Sequence, residues 1–159
     1  MQPLPILLSR RWSPGKSCTF VGLNPSTADD TNNDATVSKC IRFAQLWGFS
    51  GMTLVNLYAR RCRYPEALRT SDNPIGPDND AWLLEAINDA SVIVAMWGNH
   101  GVRAYNHGTR RDLVVTKHRN DWQCLGITKL GAPKHPLYLP STTTLRSFHC
   151  ENPDAPERN

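Results

Sequence analysis

The chain has 159 residues, 40% hydrophobic and 20% charged, with a formal charge of +4 and a pI near 8.9, a modest basic excess that helps approach to a polyanion without demonstrating one. No apolar run approaches the ~18 residues of a membrane span, and the first residues lack a charged and then apolar leader, so a cytoplasmic protein without membrane contact is expected. Five cysteines, Cys18, Cys40, Cys62, Cys124 and Cys150, are odd in number, widely spaced and free of Cys-x-x-Cys, which argues against a disulfide framework and against a zinc or iron–sulfur site.

The segment from Met1 to Trp12 holds Leu4, Ile6, Leu7 and Leu8 and predicts an edge strand or a packed arm. Next, Cys18-Thr-Phe-Val-Gly22 is a short β-branched and aromatic run that breaks at a glycine into a loop carrying Asn24, Pro25, Ser26 and Thr27. Such a run fits a buried parallel strand, and Pro25 pushes Asn24 out of the α region, leaving its amide at the strand tip. An ordinary Asx-turn would account for Asn24 as well. After the polar loop Asp29 to Asp34, apolar residues Val37, Cys40, Ile41, Ala44 and Trp47 recur at helical spacing, with Asp34 or Thr36 as cap and Gly48 or Gly51 as stop.

Met52 to Tyr58 predicts a second strand with Asn56 near its carboxyl end, a buried amide that needs partners in backbone or ligand. Arg60 to Pro77 is a long loop rich in Arg, Pro, Asn and Asp, a kind that is often functional. Gly76-Pro-Asp-Asn-Asp80 starts a helix whose apolar stripe is Leu83, Ala86, Ile87 and Ala90. Ser91 to Trp97 predicts a third strand breaking into Gly98-Asn-His-Gly101, residues 102–119 a helix in their second half, and Trp122 to Gly126 a fourth, shorter strand. The remaining segment to Pro140 is dense in Gly, Pro and basic residues, and residues 150–159 read as a flexible polar tail behind a single α/β domain over 1–149. Alternating strands and helices imply an α/β fold, three-layer α/β/α with a mostly parallel four-stranded sheet.

In such a sheet the strand carboxyl ends share one rim, so Asn24, Asn56, His100 and His135 are expected to meet there although far apart in sequence. Amides offer a donor and an acceptor side by side, which suits the edge of a nucleobase, and a neutral imidazole can donate to an oxygen that gains charge. Tyr58, Trp97 and Tyr138 are candidate stacking faces, and the carboxylates Asp29, Asp30 and Asp34, near Asn24 in sequence, could orient water, although they are also typical loop residues. Ser26, Thr27, Arg60, Lys129 and Lys134 are the candidates for phosphate contact, although solvated basic faces are an equal reading. No P-loop, nucleophile elbow or zincin motif is present, and no cofactor or metal is expected.

These blocks resemble a bacterial and phage family known as domain of unknown function 1643. The matching stretches are Leu23-Asn-Pro-Ser-Thr-Ala-Asp29, Asp34-Ala-Thr36, Val55-Asn-Leu-Tyr-Ala59, Asn73-Pro-Ile-Gly-Pro77, Trp97-Gly-Asn-His-Gly101 and Lys134-His-Pro-Leu-Tyr138. More distantly, the order of motifs resembles the uracil-DNA glycosylase superfamily. Gly22-Leu-Asn-Pro25 is similar to that superfamily's water-positioning loop in its mismatch-directed branch, and Asn56 is similar to its base-reading Asn. Met96-Trp-Gly98 and His135-Pro136 are similar to its third and last motifs, with Leu137 standing where the glycosylases have Ser. The resemblance implies a glycosylase-like fold and an N-glycosyl hydrolase acting on a base in DNA or in a nucleotide. Asn24 would hold the water, Asn56 select the base and His135 stabilise it as it departs. The other readings are a non-catalytic module that binds a base, nucleotide or nucleic acid, and a hydrolase or transferase acting on small nucleotides.

Overall fold

The computed structural model describes residues 7–25, 33–59, 78–99 and 119–149. Strands β1 (Leu7–Arg11), β2 (Ser17–Gly22), β3 (Gly51–Asn56), β4 (Val92–Ala95), β5 (Gln123–Cys124) and β6 (Arg146–Ser147) form one mixed sheet in the order β1-β3-β2-β4-β5-β6. Helices α1 (Ala35–Leu46) and α2 (Asn79–Asp89) follow β2 and β3 in the chain, and a short 3₁₀ turn spans Pro136–Tyr138.

β2 lies between β3 and β4, parallel to both, and every residue from Cys18 to Gly22 is buried. Burial on both faces is why this strand reads as a continuous apolar run rather than an alternating one. Cys18 and Phe20 join Val37, Cys40 and Phe43 of α1 on one face, while Val21 joins Leu83 and Ile87 of α2 on the other. Thr19, also on the α2 side, satisfies its buried hydroxyl by donating to the Ala86 carbonyl at 3.2 Å.

β1 is the edge strand expected before Trp12, pairing antiparallel with β3, and the sheet departs from a mostly parallel four-stranded one by this strand and by β6, which pairs antiparallel with β5 at the other edge. In β1 only Leu8 is fully buried, and Arg10 and Arg11 mark it as a solvent-facing edge. β6 has only Arg146 and Ser147, both exposed, so neither length nor periodicity announces it. The helix expected within 102–119, apart from Arg119, which is not helical, and the tail 150–159 lie outside the described residues.

The helix ends follow local chemistry. The Asp34 carboxylate accepts the Val37 N–H at 2.9 Å and caps α1. At the other end Gly48 takes a left-handed φ of +84°, which lets Phe49 N–H reach the Ala44 carbonyl at 2.9 Å and Gly48 N–H reach that of Gln45 at 3.1 Å, a Schellman closure. α2 ends differently, with Arg119 donating to the Ile87 and Ala90 carbonyls at 3.1 and 2.7 Å while pairing with Asp121. Among the described residues no helix is long and apolar enough to cross a membrane.

Candidate functional site

The strand-tip loop is held by backbone. Gly22 stands opposite Asn56 in the β2/β3 ladder, and pairing runs past the strand ends, with Leu57 N–H donating to the Gly22 carbonyl at 2.9 Å and Tyr58 N–H to that of Leu23 at 3.0 Å. Asn24 is thereby carried at the end of β2 beside the end of β3, half-buried, with its amide nitrogen 3.5 Å from the Pro25 carbonyl, the outer limit of a hydrogen bond.

Asn56 is 8% exposed and lies on the α1 face of the sheet, in register with Met52 and Leu54. A Cβ placed on Gly22 would stand 2.7 Å from the Asn56 side-chain oxygen and 3.3 Å from Cε of Met96, so the amide occupies the space that the missing side chain leaves. No hydrogen bond among the described residues involves the Asn56 side chain, whereas its own carbonyl is taken by Asn79. Asn79, 1% exposed in the first turn of α2, donates its amide N–H groups to the carbonyls of both Asn56 and Leu57, at 3.0 and 3.2 Å. An Asn in a first helical turn looks like an ordinary cap, and nothing in the sequence marked Asn79 as a partner of β3.

Asp34 and His135 come together from distant parts of the chain, at the start of α1 and just before the 3₁₀ turn that packs against α1. His135 Nδ1 accepts the Leu137 N–H at 3.2 Å, which assigns the proton of the neutral ring to Nε2 and leaves that nitrogen as a donor. The residue as a whole is solvent-exposed, yet packing around the ring lowers its pKa below the ordinary histidine value, and the Asp34 carboxylate opposes that shift. At neutral pH the ring is therefore a neutral Nε2–H donor. Lys134, next to His135 in the chain with its stem over Gly126, and Lys129, on the tight turn closed by Thr128 and Ala132, are both exposed. No acidic residue occurs in the sequence between Asp121 and Glu151, a stretch that holds Lys129, Lys134 and Arg146, and the Asp34 carboxylate reaches His135 from α1.

Two of the sequence-predicted stacking residues are elsewhere. Tyr58 and Trp97 are 3% and 2% exposed, packed in the α2-side core, where the Trp97 ring meets Trp122 and Phe148 edge-on at 5.9 and 5.5 Å. Neither ring has an open face, because an aromatic residue at the end of a strand fills the core as readily as it lines a rim. Tyr138 is the open one, 90% exposed on the 3₁₀ turn next to His135. Ser26, Thr27, Arg60 and His100 lie outside the described residues. Among those described, no group of three or more His, Cys, Asp or Glu could hold a metal ion.

The thiols of Cys18, Cys40 and Cys124 are free and buried, and burial raises the pKa of each, that of Cys18 to about 12, which removes them as nucleophiles at neutral pH. No curated protein and no solved structure matches the chain. A family pattern matches residues 6–137, the stretch from β1 through the His135 loop, and by that match the chain belongs to the family described as protein of unknown function DUF1643.

Proposed function

We propose that the protein recognises a nucleobase at the β2/β3 rim and hydrolyses the bond that joins the base to its sugar, in DNA or in a nucleotide. The observation that carries this reading is the buried Asn56 amide standing over Gly22, beside Asn24 and on the same face as α1. An amide so held, with no side-chain hydrogen bond among the described residues, has its donor and acceptor left for a ligand edge. We further infer the three-layer α/β/α fold of the uracil-DNA glycosylase superfamily. In support, β3, β2, β4 and β5 run parallel in that order, α1 and α2 pack on opposite faces, and the motifs follow the superfamily's sequence order.

In the proposed reaction the water oxygen bonds to the anomeric carbon as the glycosidic C–N bond breaks, and the bonding pair leaves with the base. The sugar passes through an oxocarbenium-like state, so the site has to hold water on one face and stabilise negative charge on the base. Asn24 holds the water, Asn56 selects the base edge, and the Nε2–H of His135 donates to the departing base. The proton that water loses ends on the base or in solvent, and the Asp34 carboxylate supports the positive charge developing on the sugar. Lys129 and Lys134 contact phosphate.

The test is incubation of the purified protein with labelled single- and double-stranded oligonucleotides that carry uracil, mismatched, deaminated and hypermodified bases, with mass spectrometry for released base. Release that Asn24→Ala abolishes while binding persists is the expected result. Release that survives in Asn24→Ala would overturn the role given to Asn24. Absence of release from every substrate, with stabilisation by free nucleotides, would replace hydrolysis by binding.

A further inference from the structure

The strand that carries Asn56 does not end as a regular strand does. Along a pleated strand successive carbonyls point to opposite sides, toward different neighbours. Here the carbonyls of Asn56 and Leu57 both turn to one nitrogen, Nδ2 of Asn79, while the N–H groups of Leu57 and Tyr58 remain on Gly22 and Leu23, at and just past the end of β2. The backbone is thus rotated between residues 56 and 57, and one buried amide accepts the consequence. That one nitrogen lies within hydrogen-bond distance of both carbonyls, and Asn79 has almost no contact with solvent that could replace it.

That rotation decides how Asn56 leaves the sheet. Its Cα is the last in register with β2, and its side-chain oxygen rests over Gly22 with no space to spare. A small change in backbone direction at residue 56 therefore swings the amide, because the side chain has no hydrogen bond of its own among the described residues to correct it. We propose that Asn79 is a positioning residue for recognition by Asn56. From the first turn of α2 it clamps the Asn56 and Leu57 carbonyls and so sets the angle at which the Asn56 amide meets the ligand edge. The proposal rests on the reading of Asn56 as the base-selecting group, and Asn79 itself touches no ligand.

A double-mutant cycle in the full chain separates positioning from mere support. Discrimination is the ratio of release rates, or of affinities if release is absent, across uracil, cytosine, adenine and guanine presented in one oligonucleotide context. Asn79→Ala is expected to lower the wild-type ratio about tenfold or more, and the double variant with Asn56→Ala is expected to discriminate no worse than Asn56→Ala alone. Asn79→Ser, which keeps one donor, is expected to recover part of the ratio. Thermal midpoints of the same proteins report stability separately. Equal discrimination in Asn79→Ala and wild type, with Asn56→Ala impaired, would overturn the role of Asn79 and leave that of Asn56 intact. Unchanged discrimination in Asn56→Ala would overturn both. Should Asn79→Ala fail to fold, Asn79→Ser carries the same comparison, with unchanged discrimination counting against the proposal.

Discussion

Gly22→Ala adds one methyl group to the floor of the site and changes no hydrogen bond or charge. Built on the existing backbone, the new carbon lies 2.7 Å from the Asn56 oxygen, which has to retreat by about 0.7 Å to reach ordinary contact. The Met96 methyl, at 3.3 Å, yields easily because its side chain is flexible. Gly22 is not among the glycines with positive φ, so alanine meets no backbone strain and restricts the unfolded chain, a gain of about 0.4–1 kcal/mol. Crowding costs about 1–3 kcal/mol, and since the crowded atom is the free end of a side chain the low end applies. The two effects nearly cancel in stability but not in function. Displacing a recognition group by most of an ångström costs about tenfold to a hundredfold in the process it serves. The assay is the ratio of rates or affinities across the four bases in Gly22→Ala and wild type, beside their thermal midpoints. Intact discrimination in a normally stable variant would refute the placement of Asn56 at the ligand.

The other predictions concern parts of the site and its frame. His135 is expected to be neutral at pH 7 with its proton on Nε2, as long-range nitrogen–proton correlation spectra report, and an Nδ1–H tautomer would contradict the Leu137 bond. Because its folded pKa lies below the unfolded value of about 6.5, the unfolded chain binds more protons, and His135 lowers stability as pH falls through that value and below. His135→Gln should therefore flatten the decline in stability between pH 7 and 5. In the native protein Cys18 and Cys40 should resist alkylation at neutral pH and react in denaturant, with labelled sites read by peptide mass spectrometry; early labelling of either would contradict their burial. Arg119→Ala removes the donor to the last carbonyls of α2 and should cost about 1–2 kcal/mol, a fall of about 2–8 °C in thermal midpoint, with the discrimination between bases unchanged.

Much of the frame was legible because local chemistry and burial agree. Asp34 before an apolar 3.6-residue period and Gly48 after it mark α1, and all four residues of the α2 stripe, Leu83, Ala86, Ile87 and Ala90, are buried. The unbroken run in β2 follows from its place between two neighbours and two helices. What escaped detection depends on tertiary contacts. β6 exists only because the chain returns to β5, and its two polar residues carry no period. Tyr58 and Trp97 sit at strand ends, where a sequence does not tell inward from outward. Phe43 completes the buried face of α1 although the expected stripe ran through Ile41 and Trp47, which are only partly buried. Asn79 was invisible for a different reason: its partners are backbone carbonyls, and backbone leaves no trace in residue type.

The alternation of β2 has an evolutionary side. Phe20 and Val21 are neighbours in the chain, yet one belongs to the core under α1 and the other to the core under α2. The candidate site is built on the α1 side, from Asn56, Asp34 and Gly22, while the Trp97, Trp122 and Phe148 cluster belongs to the other. Substitutions in the two cores share few direct contacts, so their effects on stability should add to within about 0.5 kcal/mol. Outside the Asn79 clamp, the α2 side can then absorb change, whether drift or deliberate redesign, and supply the stability that lets the α1 side vary its chemistry.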